Sequence, residues 1–538
     1  MTEKQPIYFL PENIERTIGK DAQRNNILAA KLVSEAVKTT LGPKGMDKML
    51  VDSLGNITIT NDGVTILEQM EIEHPAAKMM VEIAKTQEKE VGDGTTSAVM
   101  LAGKLLENAE KLLEMKIHPT IITKGYSLAA EKSKEFLKEL SVTVDSESED
   151  ILKSIAITAM TGKGAEPVKE KFAKIIVKAI KKIKHEGNIN LKNIKIIKNK
   201  SYGIEDTKLI EGIIIDKEKL SIDMPKKIIN PKIALISDSL ELKNPEIEAK
   251  ISITDPGQLQ EFLKRDEFML KKIVNKIKEI GANVLFCQKG IDDLVQHYLS
   301  KEKIYACRRV ARSDMESLAH VTGAKIISNL NDLSEKELGV SEIVEEIKNG
   351  EDIMTYVRGN ENSKALTILL HGGSEHVIDE MERSLKDGLG DIVSVIETKK
   401  IVAGAGAIEM ELSKKLKEFA NSVSGREQLA IKAFAESLEF IPLTLAENAG
   451  LDQIDVLTEL KSRHDNNEKF AGINIFNNKI ENVLEKGIIE PKRIKEQAIS
   501  SASEVAVMIL RIDDVLSSKN NSKGSGNHAN YPNFSGMD

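Results

Sequence analysis

A carboxylate between two glycines, followed by three hydroxyl side chains, is the most chemically suggestive stretch of the sequence. It reads VGDGTTS at residues 91–97, with Asp93 between the glycines, and an apolar run typical of a helix follows. A helix N-terminus attracts anions, and glycine lets the backbone approach a phosphate closely. Asp93 would repel a bare phosphate, but Mg²⁺ binds a carboxylate and phosphate oxygens together. The pattern therefore predicts a Mg²⁺–phosphate site, and the competing interpretation is a turn in which Thr or Ser caps the helix.

Two further glycine-rich turns adjoin helical patterns and are suited to the same kind of ligand. TTLGPKGMDK at residues 39–48 contains a lysine and follows a helix-like run, and IVAGAGAIEMEL at residues 401–412 opens a helix. Neither has the Walker A spacing or a dinucleotide-binding fingerprint after a strand. Their spacing alone leaves both a nucleotide site and ordinary turns open.

Two short loops offer charged groups that could act on a phosphate. AMTGKGAE at residues 159–166 presents Thr161 and Lys163 between small residues. ITNDGVTIL at residues 59–67 places Asp62 in an Asn-Asp-Gly turn, which is also a strong hairpin signal. The hairpin and the surface-loop lysine are the competing interpretations of these two loops.

The elements that must position these residues fall into three zones. Residues up to about 144 are mostly amphipathic helix, with leucine and alanine at helical spacing over residues 105–113. Residues from about 400 return to this helical texture. Because helical zones flank a different middle, we expect both ends of the chain to build one domain.

The middle zone alternates short strands and helices, which predicts a parallel α/β sheet. LIEGIIID at residues 209–216 is also strand-like. The strand-like segments of the sheet are KIALIS, NVLFC, KIYAC and KIIS, at residues 232–237, 283–287, 303–307 and 325–328.

One helix of the middle zone has clear boundary signals. Asp255 suits its N-cap, Pro256 its first position and Gly281 its C-terminal cap. Phe268 and Met269 do not fit its apolar stripe, so we expect them to point away from the core.

Composition excludes several classes of protein. The 538 residues exceed what one core usually serves, and the net charge of -8 argues against a nucleic-acid partner. The chain shows no secretory signal and no membrane-spanning run, so we expect a cytoplasmic protein that needs no membrane. Cys287 and Cys307 are expected to be buried, reduced thiols. The polar segment at residues 517–538 is expected to be a disordered tail.

Six long motifs together resemble the chaperonins in order and spacing. They are TTLGPKGMDKMLVD, ITNDGVTILEQMEIEHPAAKM, VGDGTTSAVMLAG, MERSLKDGL, IVAGAGAIE and GIIEPKRIKEQAISSASEVAVMILRIDD. The resemblance extends over about residues 5–514. The segment at residues 250–270 resembles the apical protrusion of group II chaperonins, and the chain is most similar to the archaeal members.

The resemblance implies a multi-domain chaperonin fold with discontinuous domains. A mainly α-helical equatorial domain would contain residues 1–148 and 401–516. An α+β intermediate domain would contain residues 149–216 and 366–400. An α/β apical domain would contain residues 217–365, with a helical lid protrusion at about 243–272.

The resemblance also implies roles at the phosphate end of a nucleotide site. Asp93 would bind Mg²⁺, and Asp62 and Asp387 would position and activate the attacking water. Thr161 and Lys163 would lie in the loop that senses the γ-phosphate. Without the resemblance, Asp387 in ERSLKDGLGD is interpreted as a solvated helix carboxylate.

The remaining implied contacts bind the rest of the nucleotide. The loop contacts to the phosphates would be Gly42, Gly94, Thr95, Thr96 and Ser97. Gly406 and Glu490 would hold the ribose, and Asn474 and Ile488 would flank the adenine. Many relatives have three glycines where this chain has Ala405 in the middle, and its methyl group restricts the backbone there.

The function implied is that of an ATP-dependent molecular chaperone, an ATPase using ATP/ADP and Mg²⁺. Its partners would be unfolded protein clients and other chaperonin subunits, identical or paralogous, in a double ring closed by a built-in lid through ATP hydrolysis. The alternative is a ring- or filament-forming scaffold with incidental ATPase activity, against which the three carboxylates Asp62, Asp93 and Asp387 argue.

Overall fold

The computed structural model describes residues 14–184, 189–242, 256–350, 352–359 and 365–518. The first part of the chain contains β1 (Ile14–Ile18), α1 (Gly19–Lys38), β2 (Lys48–Val51), β3 (Ile57–Thr60), α2 (Gly63–Gln69), α3 (Pro75–Val91), α4 (Thr95–Glu114), α5 (Pro119–Leu140) and β4 (Val142–Thr143).

The middle of the chain contains α6 (Glu149–Met160), α7 (Lys169–Ile183), β5 (Ile194–Asn199), β6 (Lys208–Ile215), β7 (Lys227–Ile229), β8 (Lys232–Ile236), α8 (Pro256–Glu279), β9 (Val284–Cys287), α9 (Asp293–Lys301), β10 (Tyr305–Cys307), α10 (Arg312–Thr322), β11 (Ile326–Ile327), β12 (Gly339–Val340), β13 (Ile343–Asn349) and β14 (Asp352–Arg358).

The last part contains β15 (Leu366–His371), α11 (Glu375–Thr398), β16 (Lys400–Ala403), α12 (Ala407–Ser422), α13 (Glu427–Leu438), α14 (Phe440–Asn448), α15 (Gln453–Asp465), β17 (Ala471–Asn474), β18 (Lys479–Asn482), β19 (Ile489–Pro491), α16 (Lys492–Leu510) and β20 (Asp514–Ser518).

Helices from both ends of the chain share one hydrophobic core, and we call α1–α5 with α12–α16 the helical body. The alanine-rich buried faces of α4 and α16, the first with several leucines and the second with several isoleucines, meet in this core. Strand β1 pairs antiparallel with β20, from Ile14 opposite Ser518 to Ile18 opposite Asp514. The predicted start of the disordered tail at residue 517 is therefore wrong, because Ser517 and Ser518 belong to this pair. Residues 519–538 lie outside the described part of the chain.

A second core joins α6, α7 and α11 with strands β5 and β15, and we call these elements the connecting layer. Its sheet continues through β6, β14, β13 and β7, in the order β5-β15-β6-β14-β13-β7. Strand β15 runs parallel to β5 and antiparallel to β6. The predicted strand at residues 209–216 is β6, which begins and ends one residue earlier.

The predicted parallel sheet is confirmed in the α/β unit, which consists of β8–β12 with α8–α10. Its parallel strands lie in the order β10-β9-β8-β11, and α8 and α9 connect the first three in sequence. Ile233 and Leu235 pack on one face, whereas Ala234 and Ile236 pack on the face covered by α8 and α9. Burial on both faces explains why these strands are continuously apolar rather than alternating.

Helix α8 begins at Pro256 and Gly281 follows it with a φ of +85°, as its boundary signals predict. Asp255 lies outside the described residues. Phe268 and Met269 are 69% and 47% exposed, which confirms that they point away from the core. Both cysteines are buried free thiols, in agreement with the prediction.

No helix within the described ranges is sufficiently long and apolar to cross a membrane.

Candidate active site

A cavity of about 440 Å³ lies between the helical body and the connecting layer. Every residue predicted for the site lines it except Asp387. The lining includes Gly42, Asp62, Asp93, Gly94, Thr95, Thr96, Ser97, Thr161, Lys163, Gly406, Asn474, Ile488 and Glu490. The cavity has the size typical of small-molecule sites.

The loop around Asp93 brings a helix N-terminus to the cavity. Gly94 is the N-cap of α4 with a φ of +78°, and Thr95 begins the helix. The interpretation that Thr or Ser caps this helix is therefore wrong. A Cβ atom on Gly94 would lie 2.6 Å from Cγ2 of Ile494, so the position requires glycine for both conformation and space. The backbone N–H groups of the first turn have no partner within the helix, which makes this end suited to an anion.

Gln87 fixes the loop against the helical body. Its amide nitrogen donates hydrogen bonds to the carbonyl oxygens of Asp93 at 2.9 Å and Ile494 at 3.3 Å. Because the loop is held by its backbone, the carboxylate of Asp93 remains available to the cavity.

The turn after α1 forms the opposite wall of the phosphate end. Gly42 has a φ of +79°, and a Cβ atom there would lie 2.3 Å from Cδ2 of Leu445. Gly162, in the loop after α6, has a φ of +83°, and its added Cβ would lie 2.3 Å from Cα of Pro43. The connecting layer thus rests on the helical body by direct backbone contact between two glycine turns.

Asp62 is positioned by a helix cap rather than by a hairpin. Strands β2 and β3 form the hairpin earlier in the chain, with Val51 opposite Ile57, so the alternative interpretation of Asp62 is wrong. Oδ2 of Asp62 accepts hydrogen bonds from the backbone N–H and the hydroxyl of Thr65, at 2.9 and 2.7 Å. Thr95 donates its hydroxyl to Oδ1 at 3.5 Å. The cap fixes the carboxylate facing the phosphate loop.

Lys163 connects the two parts of the site. Its Nζ lies 2.5 Å from Oδ2 of Asp387 in α11 and 3.3 Å from Oδ1 of Asp93 in the helical body. Burial opposes the ammonium charge, but attraction to Asp387 and Asp93 outweighs burial and raises the pKa of Lys163 well above its usual value. Asp387 therefore reaches the cavity only through this lysine. Its interpretation as a solvated helix carboxylate is wrong.

Thr161 ends α6 at the same loop. Its hydroxyl donates to the carbonyl oxygen of Ile157 at 2.6 Å, and Lys169 lies 3.5 Å from it. Asn61 donates its side-chain amide to the carbonyl oxygen of Gly162 at 2.9 Å. The loop is thus tied both to its own helix and to the helical body.

The other end of the cavity contains a buried charge network. Strands β16 and β19 place Val402 opposite Glu490. Nζ of Lys495 lies 2.7 Å from Glu490 and 2.8 Å from Glu409, which fixes the orientation of Glu490. Burial raises the pKa of Glu490 and outweighs the opposing attraction of Lys495. Lys495 was not predicted from the sequence. Its position five residues after Glu490 in GIIEPKRIK is a signal that the two could pair.

The small-residue loop before α12 adopts the left-handed conformation at two positions. Ala405 has a φ of +54° and Gly406 a φ of +79°, and Gly406 is the N-cap of α12. A Cβ atom on Gly406 would lie 2.6 Å from Cβ of Pro442. Ala405 therefore carries conformational strain that a glycine would not have.

Asn474 and Ile488 line this end together with a residue that sequence reasoning missed. Oδ1 of Asn474 accepts a hydrogen bond from the backbone N–H of Phe476 at 3.1 Å. Phe476 is 58% exposed and lines the cavity. Nζ of Lys169, from the connecting layer, lies 5.2 Å from the centre of its ring. This cation–π contact joins the connecting layer to the helical body at the cavity mouth.

Asp391 is another lining residue that sequence reasoning missed. It lies one helical turn after Asp387 on α11 and is only 2% exposed. Oδ1 has no hydrogen-bond partner within the described ranges. Burial, reinforced by Asp93, raises the pKa of Asp391 well above its usual value. The spacing of four residues from Asp387 puts both carboxylates on one helix face and could have revealed it.

Across the described residues, no group of three cysteine, histidine or acidic side chains could hold a metal ion by itself. A cation at this site would depend on Asp93 and on phosphate oxygens. The buried His371 is not part of this site, and its Nδ1 lies 2.9 Å from the carbonyl oxygen of Ser201.

Two glycine turns, a helix N-terminus and a lysine–carboxylate cluster thus meet where two parts of a multi-domain chain touch. That combination suits the binding of a phosphate-bearing ligand between the two parts. The model of the TCP-1/cpn60 chaperonin family matches residues 33–520, and the chain belongs to this family.

The relatives place the chain within the group II chaperonins. It is 54% identical over 534 residues to thermosome subunit beta of Archaeoglobus fulgidus, with 98% of both chains covered. It is 53% identical over 521 residues to the thermosome subunit of Methanopyrus kandleri, covering 96% of each. It is 53% identical over 544 residues to that of Pyrococcus abyssi, covering 99% of each.

The predicted chaperonin fold, chaperone function and ATPase activity are confirmed by these relationships. The chain is an ATP-hydrolysing chaperonin subunit. The scaffold alternative is not favoured, because the family and its relatives are chaperonins over essentially the whole chain.

Proposed function

We propose that the cavity binds ATP or ADP with Mg²⁺, and that hydrolysis requires the connecting layer to rest on the helical body. The contact of Lys163 with both Asp387 and Asp93, at 2.5 and 3.3 Å, carries the proposal. Lys163 and Asp387 belong to the connecting layer, whereas Asp93 belongs to the helical body. A site divided in this way is complete only when the two parts touch.

The phosphates would bind at the N-terminus of α4 and against the Gly42 turn. Thr95, Thr96 and Ser97 would supply hydroxyl donors, and Gly94 leaves the backbone accessible to an anion. The donors suit Mg²⁺, because one carboxylate with several phosphate oxygens is its usual set of ligands. Mg²⁺ at Asp93 would supply neutralisation of phosphate charge.

The nucleoside would bind at the other end of the cavity. Glu490, held by Lys495, would accept hydrogen bonds from the ribose hydroxyls, with Gly406 allowing close approach. Asn474 and Ile488 would flank the adenine. A carboxylate acceptor held by a buried lysine is well suited to a diol.

Hydrolysis would use two carboxylates, Asp62 at the cavity wall and Asp387 behind Lys163. Asp62, fixed by its cap, and Asp387 would orient the attacking water and accept its proton. Lys163 would move its ammonium group from Asp387 and Asp93 to the γ-phosphate and stabilise the charge on the transferring group. Thr161 would position the loop that carries this lysine.

The three parts of the chain would correspond to the domains of a chaperonin subunit. The helical body would be the equatorial domain, at residues 1–148 and 401–516, and the intermediate domain would contain residues 149–216 and 366–400. Residues 217–365 would form the apical domain, with the lid protrusion at about 243–272. Separate hydrophobic cores in the described residues support the division between the helical body and the connecting layer. Across the boundary at residue 216, Ile213 and Ile215 share a core with Ile233.

Assembly and client binding complete the proposal. Identical or paralogous subunits would stack as two rings in the cytoplasm. Phe268 and Met269, exposed on α8, would contact unfolded proteins in the open ring and be covered on closure. ATP hydrolysis would drive that closure and enclose the client.

Substitution of Asp387 by Asn separates binding from chemistry. Because Asp387 does not line the cavity, ADP affinity should remain within a few-fold of wild type. Loss of the carboxylate should reduce phosphate release by roughly 10²–10⁴-fold, the usual contribution of a positioned acid or base. The matched control is Asp379→Asn, on the same helix but ion-paired with Lys198 at 2.7 Å outside the cavity. Phosphate release by Asp387→Asn at the rate of this control would refute the assignment.

A further inference from the structure

Asp391 is a buried carboxylate to which the proposed chemistry gives no role. It lines the cavity, is 2% exposed, and its Oδ1 has no hydrogen-bond partner within the described residues. A carboxylate removed from water without a donor is costly to the folded state. A bound ion or an ordered water is one explanation for such a group.

Close backbone contacts hold this carboxylate next to the loop of Asp93. A Cβ atom on Gly390 would lie 3.4 Å from the carbonyl oxygen of Val91 and 3.9 Å from Cα of Gly92. Helix α11 therefore approaches the phosphate loop at the residue immediately before Asp391. Asp391 is consequently fixed by main-chain packing and not by side-chain hydrogen bonds.

The cation closest to this region already has acidic partners. Lys163 is 2.5 Å from Asp387 and 3.3 Å from Asp93, and no hydrogen bond joins it to Asp391. A donor for Asp391 must therefore come from what the cavity binds. Among the described residues, no group of three histidine, cysteine or acidic side chains could hold a second metal ion.

We propose that Asp391 is an outer-shell residue for the magnesium ion of the nucleotide. This inference rests on the proposed nucleotide site at Asp93. Mg²⁺ bound by one carboxylate and phosphate oxygens keeps several water ligands, each a strong hydrogen-bond donor. The carboxylate of Asp391, which lines the cavity, accepts a hydrogen bond from one of these waters. Asp391 is thus a positioning residue that strengthens the binding of Mg²⁺ without touching the metal or the phosphates.

The test measures ADP binding by calorimetry at increasing Mg²⁺ concentrations, on the full-length assembled protein. Asp391→Asn keeps the shape but removes the charge, and Asp391→Ser provides a second variant of smaller volume. The Mg²⁺ concentration for half-maximal effect should rise by about 10–100-fold in both variants, as is typical when an outer-shell partner is lost. ADP affinity without Mg²⁺ should stay within a few-fold of wild type, and Asp379→Asn should behave as wild type throughout.

Two results would overturn the inference, and they differ from each other. If ADP binding by Asp391→Asn depends on Mg²⁺ as it does in wild type, Asp391 is only a buried acid. The proposed nucleotide site would then stand. Absence of any Mg²⁺-dependent ADP binding in wild type would overturn the site at Asp93 together with this inference. Thermal unfolding in the absence of ligands serves as a fold check, and removal of an unpaired buried charge should leave both variants at least as stable as wild type.

Discussion

Substitution of Gly162 by Ala should uncouple nucleotide binding from hydrolysis. The added Cβ would lie 2.3 Å from Cα of Pro43 and 2.8 Å from the carbonyl oxygen of Gly42, both backbone atoms that cannot rotate away. Ordinary van der Waals contacts of a Cβ atom begin at 3.4 Å. The loop that carries Lys163 must therefore withdraw from the Gly42 turn by roughly 1 Å. A misplacement of about 1 Å commonly costs an enzyme about 10²-fold in rate. We therefore expect kcat to fall by about this factor.

Nucleotide affinity should change little in the same variant. The phosphate loop around Asp93 and the nucleoside end belong to the helical body, which the substitution leaves intact. Steady-state phosphate release measures kcat, and calorimetry with ADP measures affinity. The expected signature is a large loss of kcat with a Kd for ADP within a few-fold of wild type.

Two matched glycine substitutions separate the clash from other effects. Gly164→Ala, in the same loop, would meet only Cε of Met381 at 2.8 Å and Cγ of Glu380 at 2.9 Å, and both side chains are flexible. Gly450→Ala has a φ of +74° with no atom within 4 Å, so it tests left-handed strain alone. Hydrolysis by Gly162→Ala at the rate of these two controls would show that this backbone contact does not set the rate.

Three further predictions concern other parts of the chain. Phe476→Ala removes the cation–π contact with Lys169 at the cavity mouth, so stopped-flow measurements should show faster ADP release, and an unchanged rate would contradict this role. Ala405→Gly should leave thermal stability nearly unchanged. The relief of left-handed strain, about 1 kcal/mol, offsets a similar stabilisation of the unfolded chain by its greater entropy. A large loss of stability would contradict this balance. Burial raises the pKa of Cys287 to about 11 and that of Cys307 to about 12, from an ordinary value of 9.0. Compared with an ordinary thiol, their thiolate fractions at neutral pH should therefore be lower by roughly 100-fold and 1,000-fold. Iodoacetamide should therefore label both only after denaturation, and rapid labelling of the native protein would contradict their burial.

Periodicity and cap signals predicted much of the fold because these signals are local. The strands of the α/β unit and the ends of α8 follow from short apolar runs and from Pro256 and Gly281. The pairing of β1 with β20 could not be predicted, because it depends on a contact between segments about 500 residues apart. The Asn-Asp-Gly turn at Asp62 was ambiguous for a related reason: the same residues suit a hairpin and a helix cap, and only packing against α4 decides between them.

In the candidate site, too, local signals could be read from the sequence and contacts between distant segments could not. Gly94 and Asp93 could be recognised from sequence, because a glycine-rich loop before a helix has a specific physical purpose. Asp387 required resemblance to a family, since its partner Lys163 lies 224 residues away. Asp391 was missed because a helical carboxylate is normally solvated, and only the close approach of α11 to the phosphate loop buries it.

We propose that ATP hydrolysis at this divided site drives protein folding. The most direct measurement is ATP-dependent refolding of a chemically denatured model enzyme by wild type and Asp387→Asn, with phosphate release recorded in the same samples. We predict that wild type restores enzyme activity while it hydrolyses ATP, and that the variant loses both while still binding ADP. Wild-type hydrolysis without any gain in refolding, or refolding by a variant that no longer hydrolyses ATP, would show that hydrolysis at this site does not drive folding.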